Sequence, residues 1–172
     1  MFQILFDKEI YEKVIQEAIP KARKFIWIGT SDLKDMYISK SSRMVPFLEL
    51  LSDLIKRKVS IRMIHAKEPG PAFRMDFDKY PVLFSGMERV LCPRVHFKMV
   101  IIDGTFAFCG SANLTGAGMG AKNENNRNFE NGFITDQPEI IEKLMTQFDN
   151  VWCGLYCKKC GRKEYCSDCP VK

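Results

Sequence analysis

His96, Lys98 and Asp103, followed closely by Gly110, Ser111 and Asn113, put a nucleophile, a cation and small hydrogen-bonding groups into one short stretch. These types suit phosphate chemistry. An imidazole can attack phosphorus, and an ammonium can offset charge on the nonbridging oxygens. Strand alternation predicts His96, Lys98 and Val100 on one face and Phe97, Met99 and Ile101 on the other. Ser111 and Asn113 can add hydrogen bonds where the chain returns. Glu130, at the start of a later apolar segment, can orient the imidazole through its second nitrogen and favour the imidazolium. Each residue taken singly also has a plain structural use. Asp103 can shape a turn, Ser111-Ala112-Asn113 can be a loop bend, and Glu130 can pair with a lysine across strands.

The elements that must position these groups follow from apolar periodicity. A strand is expected at Gln3 to Phe6, with Asp7 capping a helix whose stripe is Ile10, Val14, Ile15, Ala18 and Ile19. Pro20 ends it. Phe25 to Ile28 reads as a buried strand closed by Gly29-Thr30-Ser31-Asp32. A helix from Met44 to Lys56 and a strand from Val59 to His65 follow. These alternations predict an α/β fold with a mixed, largely parallel sheet flanked by helices. A short helix is expected within Ala72 to Tyr80. A strand over Val95 to Ile102 turns at Asp103-Gly104 and returns over Phe106 to Cys109. Phe129 to Ile134 reads as a further strand. Asp136 and Glu139 read as a capping box for a last helix.

Size and composition narrow the class. A chain of 172 residues with 46% apolar content and 13 phenylalanines can bury a sizeable core. The net charge of +5 suits a polyanionic partner without requiring one. Lys56-Arg57-Lys58 with Arg62 is a candidate contact for a nucleic-acid backbone, or a solvated helix end. No secretory signal or membrane span is visible, and the run Phe2 to Phe6 is too short for either. Seven cysteines without an export signal point to a reducing, cytoplasmic setting.

The cysteines divide the chain into residues 1–152 and a tail, 153–172. Cys157-x2-Cys160 and Cys166-x2-Cys169 form two paired thiol knuckles. Four soft ligands suit a structural zinc in a small C-terminal metal-binding knuckle. Iron–sulfur ligation and disulfides are the alternatives, and Cys153 is a possible further ligand. Lys158, Lys159, Arg162 and Lys163 make the tail basic, fit for nucleic acid or a protein partner. Cys92 and Cys109 read as structural, and nothing marks a cysteine nucleophile.

The joint pattern resembles the phospholipase D superfamily, whose motif is His-x-Lys-x4-Asp followed by Gly-Ser-x-Asn. His96, Lys98 and Asp103, then Gly110, Ser111 and Asn113, stand at that spacing. Asn128-Phe129-Glu130 is similar to the downstream acidic segment of the short, single-motif bacterial endonuclease branch. The resemblance covers most of residues 5–150. It implies metal-independent phosphodiester hydrolysis through a phosphohistidine, with DNA or RNA as substrate. His96 would be the nucleophile. Lys98, Ser111 and Asn113 would bind the phosphate, Glu130 would orient His96, and Asp103 would act as a structural partner. Such chemistry needs a second histidine. The motif occurs once among two histidines, and His65 lacks its companions. The resemblance therefore implies a symmetric homodimer with paired His96 side chains and no catalytic metal. A phospholipid phosphodiesterase and a non-catalytic nucleic-acid-binding module are the competing functions.

Overall fold

Residues that alternate in and out along extended segments build a seven-stranded sheet, and stripes at helical spacing build its covering layers. The structure, a computed structural model, describes residues 1–170. Its strands are β1 (Phe2–Phe6), β2 (Phe25–Thr30), β3 (Tyr37–Lys40), β4 (Arg43–Pro46), β5 (Ser60–His65), β6 (Met87–Leu91), β7 (Met99–Ile102), β8 (Phe106–Gly110) and β9 (Asn131–Thr135). Helix α1 (Lys8–Ile10) continues as a π-helical stretch (Tyr11–Ala18) and a 3-10 turn (Ile19–Lys21). Helices α2 (Phe47–Lys56), α3 (Pro71–Asp78), α4 (Val82–Gly86) and α5 (Pro138–Trp152) follow. The sheet order is β1-β9-β8-β7-β2-β5-β6, and β3 and β4 form a separate hairpin.

The α/β class holds, but the sheet is mostly antiparallel rather than largely parallel. Among the described strands of the sheet only β2 with β5 and β5 with β6 run parallel. The pairs β1-β9, β9-β8, β8-β7 and β7-β2 are antiparallel. The β2-α2-β5 unit read from periodicity is present, yet it accounts for one side of the sheet. The other side is set by a tight turn between β7 and β8, which only antiparallel neighbours allow.

That turn is anchored chemically. Asp103 and Gly104 both take positive φ, 55° and 69°, and the N–H of Thr105 donates to the carbonyl of Ile102 at 3.0 Å. The Asp103 carboxylate accepts the N–H groups of Arg23 at 2.9 Å, Lys24 at 2.8 Å and Phe25 at 2.9 Å. The turn is thereby tied to the start of β2. Burial alone would raise the Asp103 carboxyl, but the three N–H donors together hold it below its ordinary value.

Two apolar layers flank the sheet. Val14, Ile15, Leu51 and Leu54 pack on Leu5, Ile26, Ile61 and Phe108 on one side. Ile141 and Phe148 of α5 pack on Met99, Ile101 and Ala107 on the other. Helix α2 begins at Phe47 rather than Met44, because a residue before proline disfavours helical backbone and Val45 precedes Pro46. Strand β7 begins at Met99 rather than Val95. Asp136 pairs with the N-terminal ammonium of Met1 instead of capping α5, whose N-cap is Gln137. Among the described residues no helix is long and apolar enough to cross a membrane.

The C-terminal tail corrects a second expectation. Asp168 accepts the N–H of Leu91 at 2.6 Å, and the Cys166 thiol donates to the Leu91 carbonyl at 3.4 Å, so the tail is fastened to the end of β6. Cys160 accepts the N–H of Arg162 at 3.4 Å. Among the described residues no group of three or more His, Cys, Asp or Glu side chains is arranged to hold a metal ion. Cys157, Cys160, Cys166 and Cys169 therefore do not fit the zinc site or the metal-binding knuckle their spacing predicts. Burial, then the nearby Cys169, pushes the Cys157 thiol up. The last two residues of the expected 153–172 segment lie outside the described residues.

The anchored turn makes a prediction. Asp103→Asn keeps a residue that tolerates positive φ but removes the charge facing three donors, and should cost about 1–3 kcal/mol in urea unfolding at neutral pH. A carboxyl lowered in the folded state stabilises above its unfolded value of about 3.9 and loses that effect as pH falls through the folded value. The gap between wild type and variant should therefore close in acid. A pH-independent gap would contradict the role given to the charge.

Candidate functional site

The motif residues other than Asp103 lie at one end of the sheet, where β2 and β8 finish and β7 and β9 begin. Strand register does the positioning. Met99 lies opposite Cys109, and the N–H of Gly110 donates to the Lys98 carbonyl at 3.1 Å. Residues just before β7 therefore stand beside residues just after β8. His96 and Lys98 lie in the extended segment ahead of β7, off its ladder. Gly29 permits this path: a Cβ there would lie 2.2 Å from the Phe97 ring. The Phe97 ring thus rests on β2 and holds the backbone between the two polar residues.

His96 is exposed and Lys98 is buried. The Lys98 ammonium donates to the His96 carbonyl at 2.7 Å and sits 3.1 Å from Nδ1 and 3.4 Å from Nε2 of the imidazole. An ammonium can only donate, so a ring nitrogen facing it must offer a lone pair. Burial lowers the Lys98 ammonium from its ordinary value, and the Glu130 carboxylate pulls it back up.

Asn113 is fixed by a polar cradle at the end of β2. Its Oδ1 accepts the Ser31 hydroxyl at 2.8 Å, the Ser31 N–H at 3.2 Å and the Asp32 N–H at 3.1 Å, with the Thr30 hydroxyl at 3.4 Å. Backbone N–H groups identify the oxygen end of the amide unambiguously. The Nδ2 donors are left to point away from the cradle. The Thr30 hydroxyl also accepts the Leu114 N–H at 2.9 Å, which seats the same loop.

Glu130 is placed by a different set of partners. The Ser111 hydroxyl donates to one carboxylate oxygen, and the Asn128 amide donates to the other at 3.0 Å. Its backbone N–H donates to the Asp7 carboxylate at 2.8 Å, and the Asp7 N–H donates to its carbonyl at 3.0 Å. Asp7 therefore clamps Glu130 instead of capping α1 through its side chain. The hydrogen bonds of Glu130 run to Ser111 and Asn128, not to the imidazole. Its influence on the site is electrostatic, through Lys98.

Lys98 contacts His96, Ser111 hydrogen-bonds Glu130 and Asn113 is held by the end of β2, whereas Asp103 stands at the far end of the hairpin. His65 is buried, with Nδ1 2.8 Å from the Lys67 carbonyl, and burial pushes its imidazole down toward the neutral form. The expected basic cluster is dispersed. Arg57 donates to the carbonyls of Pro20 and Ala22, and Arg62 lies between the Trp27 and Trp152 rings and pairs with Glu88. Asp7, Asn128 and the cradle of Thr30, Ser31 and Asp32 are contributors that the spacing of the motif did not assign. The cradle had a signal, as a small polar cluster ending a strand. Asp7 had none beyond its suitability as a cap.

Comparison with known proteins bears on the fold and the family. Residues 15–152 match the family described as "Cardiolipin synthase, PLD-like domain". The fold is similar to Nuc, a phospholipase D family member from Salmonella typhimurium, at TM-score 0.63 and 18% identity, covering 88% of this chain and 93% of that one. It is similar to NucT from Helicobacter pylori at TM-score 0.62 and 17% identity, covering 87% and 95%. TrmBL2, an archaeal chromatin protein, matches at TM-score 0.60 and 12% identity, covering 88% of this chain and 51% of that one. No curated protein sequence matches the chain significantly.

The Asn113 cradle gives a test of anion binding. Asn113→Asp keeps an oxygen acceptor for Ser31 and Asp32 but replaces the outward donors with a carboxylate oxygen. The variant should melt within about 3 °C of wild type. Inorganic phosphate should raise the wild-type melting temperature by mass action and leave the variant unmoved. Equal phosphate-induced shifts would remove Asn113 from the anion site.

Proposed function

We propose a function for this chain from one premise: it belongs to the PLD-like domain family. The function is hydrolysis of a phosphodiester bond in nucleic acid through a phosphohistidine on His96. The carrying observation is the buried Lys98 ammonium held 3.1 Å from the exposed His96 ring. The ammonium and the outward Nδ2 of Asn113 supply donors to the nonbridging oxygens, where charge grows in the transition state. Ser111 and Glu130 keep the pocket in shape, and the Glu130 charge opposes the lowering of the Lys98 ammonium by burial.

The reaction has two steps. A neutral His96 nitrogen attacks phosphorus, a P–N bond forms, and the P–O bond to the leaving group breaks. The departing oxygen takes a proton from a second imidazole. That imidazole, now neutral, removes a proton from water, which attacks phosphorus and releases His96. His65 is buried and engaged by Lys67, so the second imidazole comes from His96 of another copy in a homodimer.

Nucleic acid is favoured as substrate by the Asn-rich loop beside the site, with exposed Lys122 and neighbouring Arg127, and by the cations of the tail. TrmBL2, of similar fold, is described as showing a mode of DNA binding. A phospholipid phosphodiester is the second reading. It is favoured by Phe2, Ile4 and Phe6, each more than half exposed, and by the cardiolipin synthase description of the matched family.

Parallel assays on single-stranded DNA, duplex DNA, RNA and phospholipid vesicles test this reading. Cleavage of nucleic acid should persist in chelator, because Lys98 and Asn113 provide the donors. His96→Ala should lower it by roughly a thousandfold or more, and sedimentation should show a dimer. Activity on lipid alone would select the second reading. Undiminished cleavage by His96→Ala would contradict the mechanism.

A further inference from the structure

Phe129 is 96% exposed, the highest value among the large exposed hydrophobic residues described. It stands between Asn128 and Glu130, both members of the candidate site. A mobile loop end would let such a ring fold back onto apolar surface, but this backbone is pinned on each side. The Asn128 N–H donates to the Ala117 carbonyl at 3.0 Å. The Glu130 N–H is held by Asp7 at 2.8 Å, and the Asp7 N–H returns to Glu130 at 3.0 Å. The side chains of Asn128 and Glu130 are joined at 3.0 Å. A large apolar ring is therefore presented to solvent by a fixed loop, one residue from the carboxylate that bonds Ser111.

We propose that Phe129 is a stacking platform for an unpaired base, and that it directs the site toward single-stranded nucleic acid. The proposal rests on the nucleic-acid reading above and adds the strand state of its substrate. Every base has a flat π-face, so an aromatic ring binds single strands without reading sequence. In a duplex those faces are already stacked on their neighbours, and reaching them requires unstacking. Phe129 is next in the chain to Glu130, whose carboxylate bonds Ser111, so a base flanking the bound phosphate is the occupant proposed. Lys122 and Arg127, in the preceding segment, place cations near the continuing backbone. A duplex backbone could meet those cations, but it offers nothing to the ring.

The test measures binding of a labelled single-stranded oligonucleotide by fluorescence anisotropy, in a His96→Ala background that prevents turnover. An oligonucleotide of the same length carrying abasic sites keeps the phosphates and removes the base faces. The duplex is the third ligand. The proposal expects the base-bearing single strand to bind tightest. Phe129→Ala should weaken that binding by roughly tenfold, the size of one base–aromatic stack, and collapse the preference over the abasic strand. Phe129→Trp should restore it. Melting temperature checks that the variants are folded. If the protein binds base-bearing and abasic strands equally, the nucleic-acid reading stands and the stacking site is overturned. If it binds no oligonucleotide, the nucleic-acid reading fails and the platform falls with it. If Phe129→Ala changes the sedimentation of the protein instead of its base preference, the ring packs against a second copy and the proposal is overturned.

Discussion

The hairpin of β7 and β8, closed at Asp103-Gly104, is the constraint on which the site depends. Its far end is locked to the start of β2 by three N–H groups on one carboxylate. From that fixed point the antiparallel register counts both strands toward the open end of the sheet. Lys98 arrives opposite Gly110, so the segment carrying His96 and Lys98 before β7 runs beside the segment that follows β8. The spacing of the motif is hairpin arithmetic. One residue inserted in either strand would turn side chains to the wrong face. Asp103 thus fixes the hairpin from the end opposite the other motif residues.

Three other contacts convert proximity into fixed geometry. The cradle of Ser31 and Asp32 fixes the Asn113 amide with its oxygen toward the end of β2. Gly29 makes room for the Phe97 ring, which steers the chain between His96 and Lys98. Asp7 clamps Glu130 across the β1–β9 side of the sheet. These contacts join sequence-distant segments, which is why the site requires the whole sheet and not the motif alone. Burial of Lys98 sharpens its field, and Glu130 opposes the loss of its proton.

The amino-acid sequence displayed the motif, most strands and the two covering layers, because these follow from local periodicity and turn chemistry. It misled where distant segments compete for the same groups. Asp7 reads as a helix cap, yet its carboxylate is taken by Glu130. Asp136 reads as a capping-box residue, yet the Met1 ammonium claims it. The parallel β2-α2-β5 unit was legible, but β6 was not read as a strand, and the antiparallel closure of β1 on β9 joins opposite ends of the chain and leaves no local pattern. The paired cysteines have the spacing of a metal site. In the folded chain Cys160 and Cys166 turn to Arg162 and Leu91 instead, and no metal-holding group forms among the described residues. Spacing along the chain sets what side chains can reach, not which partner each one takes.

The account stands on covalent chemistry at His96, and one measurement addresses it directly. A rapid alkaline quench during turnover of a nucleic-acid substrate preserves a P–N bond, and mass spectrometry of the digested protein locates the bound phosphoryl group. The account predicts a phosphoryl adduct on the peptide carrying His96. Turnover with the adduct on another residue, or with none at any quench time, would contradict it.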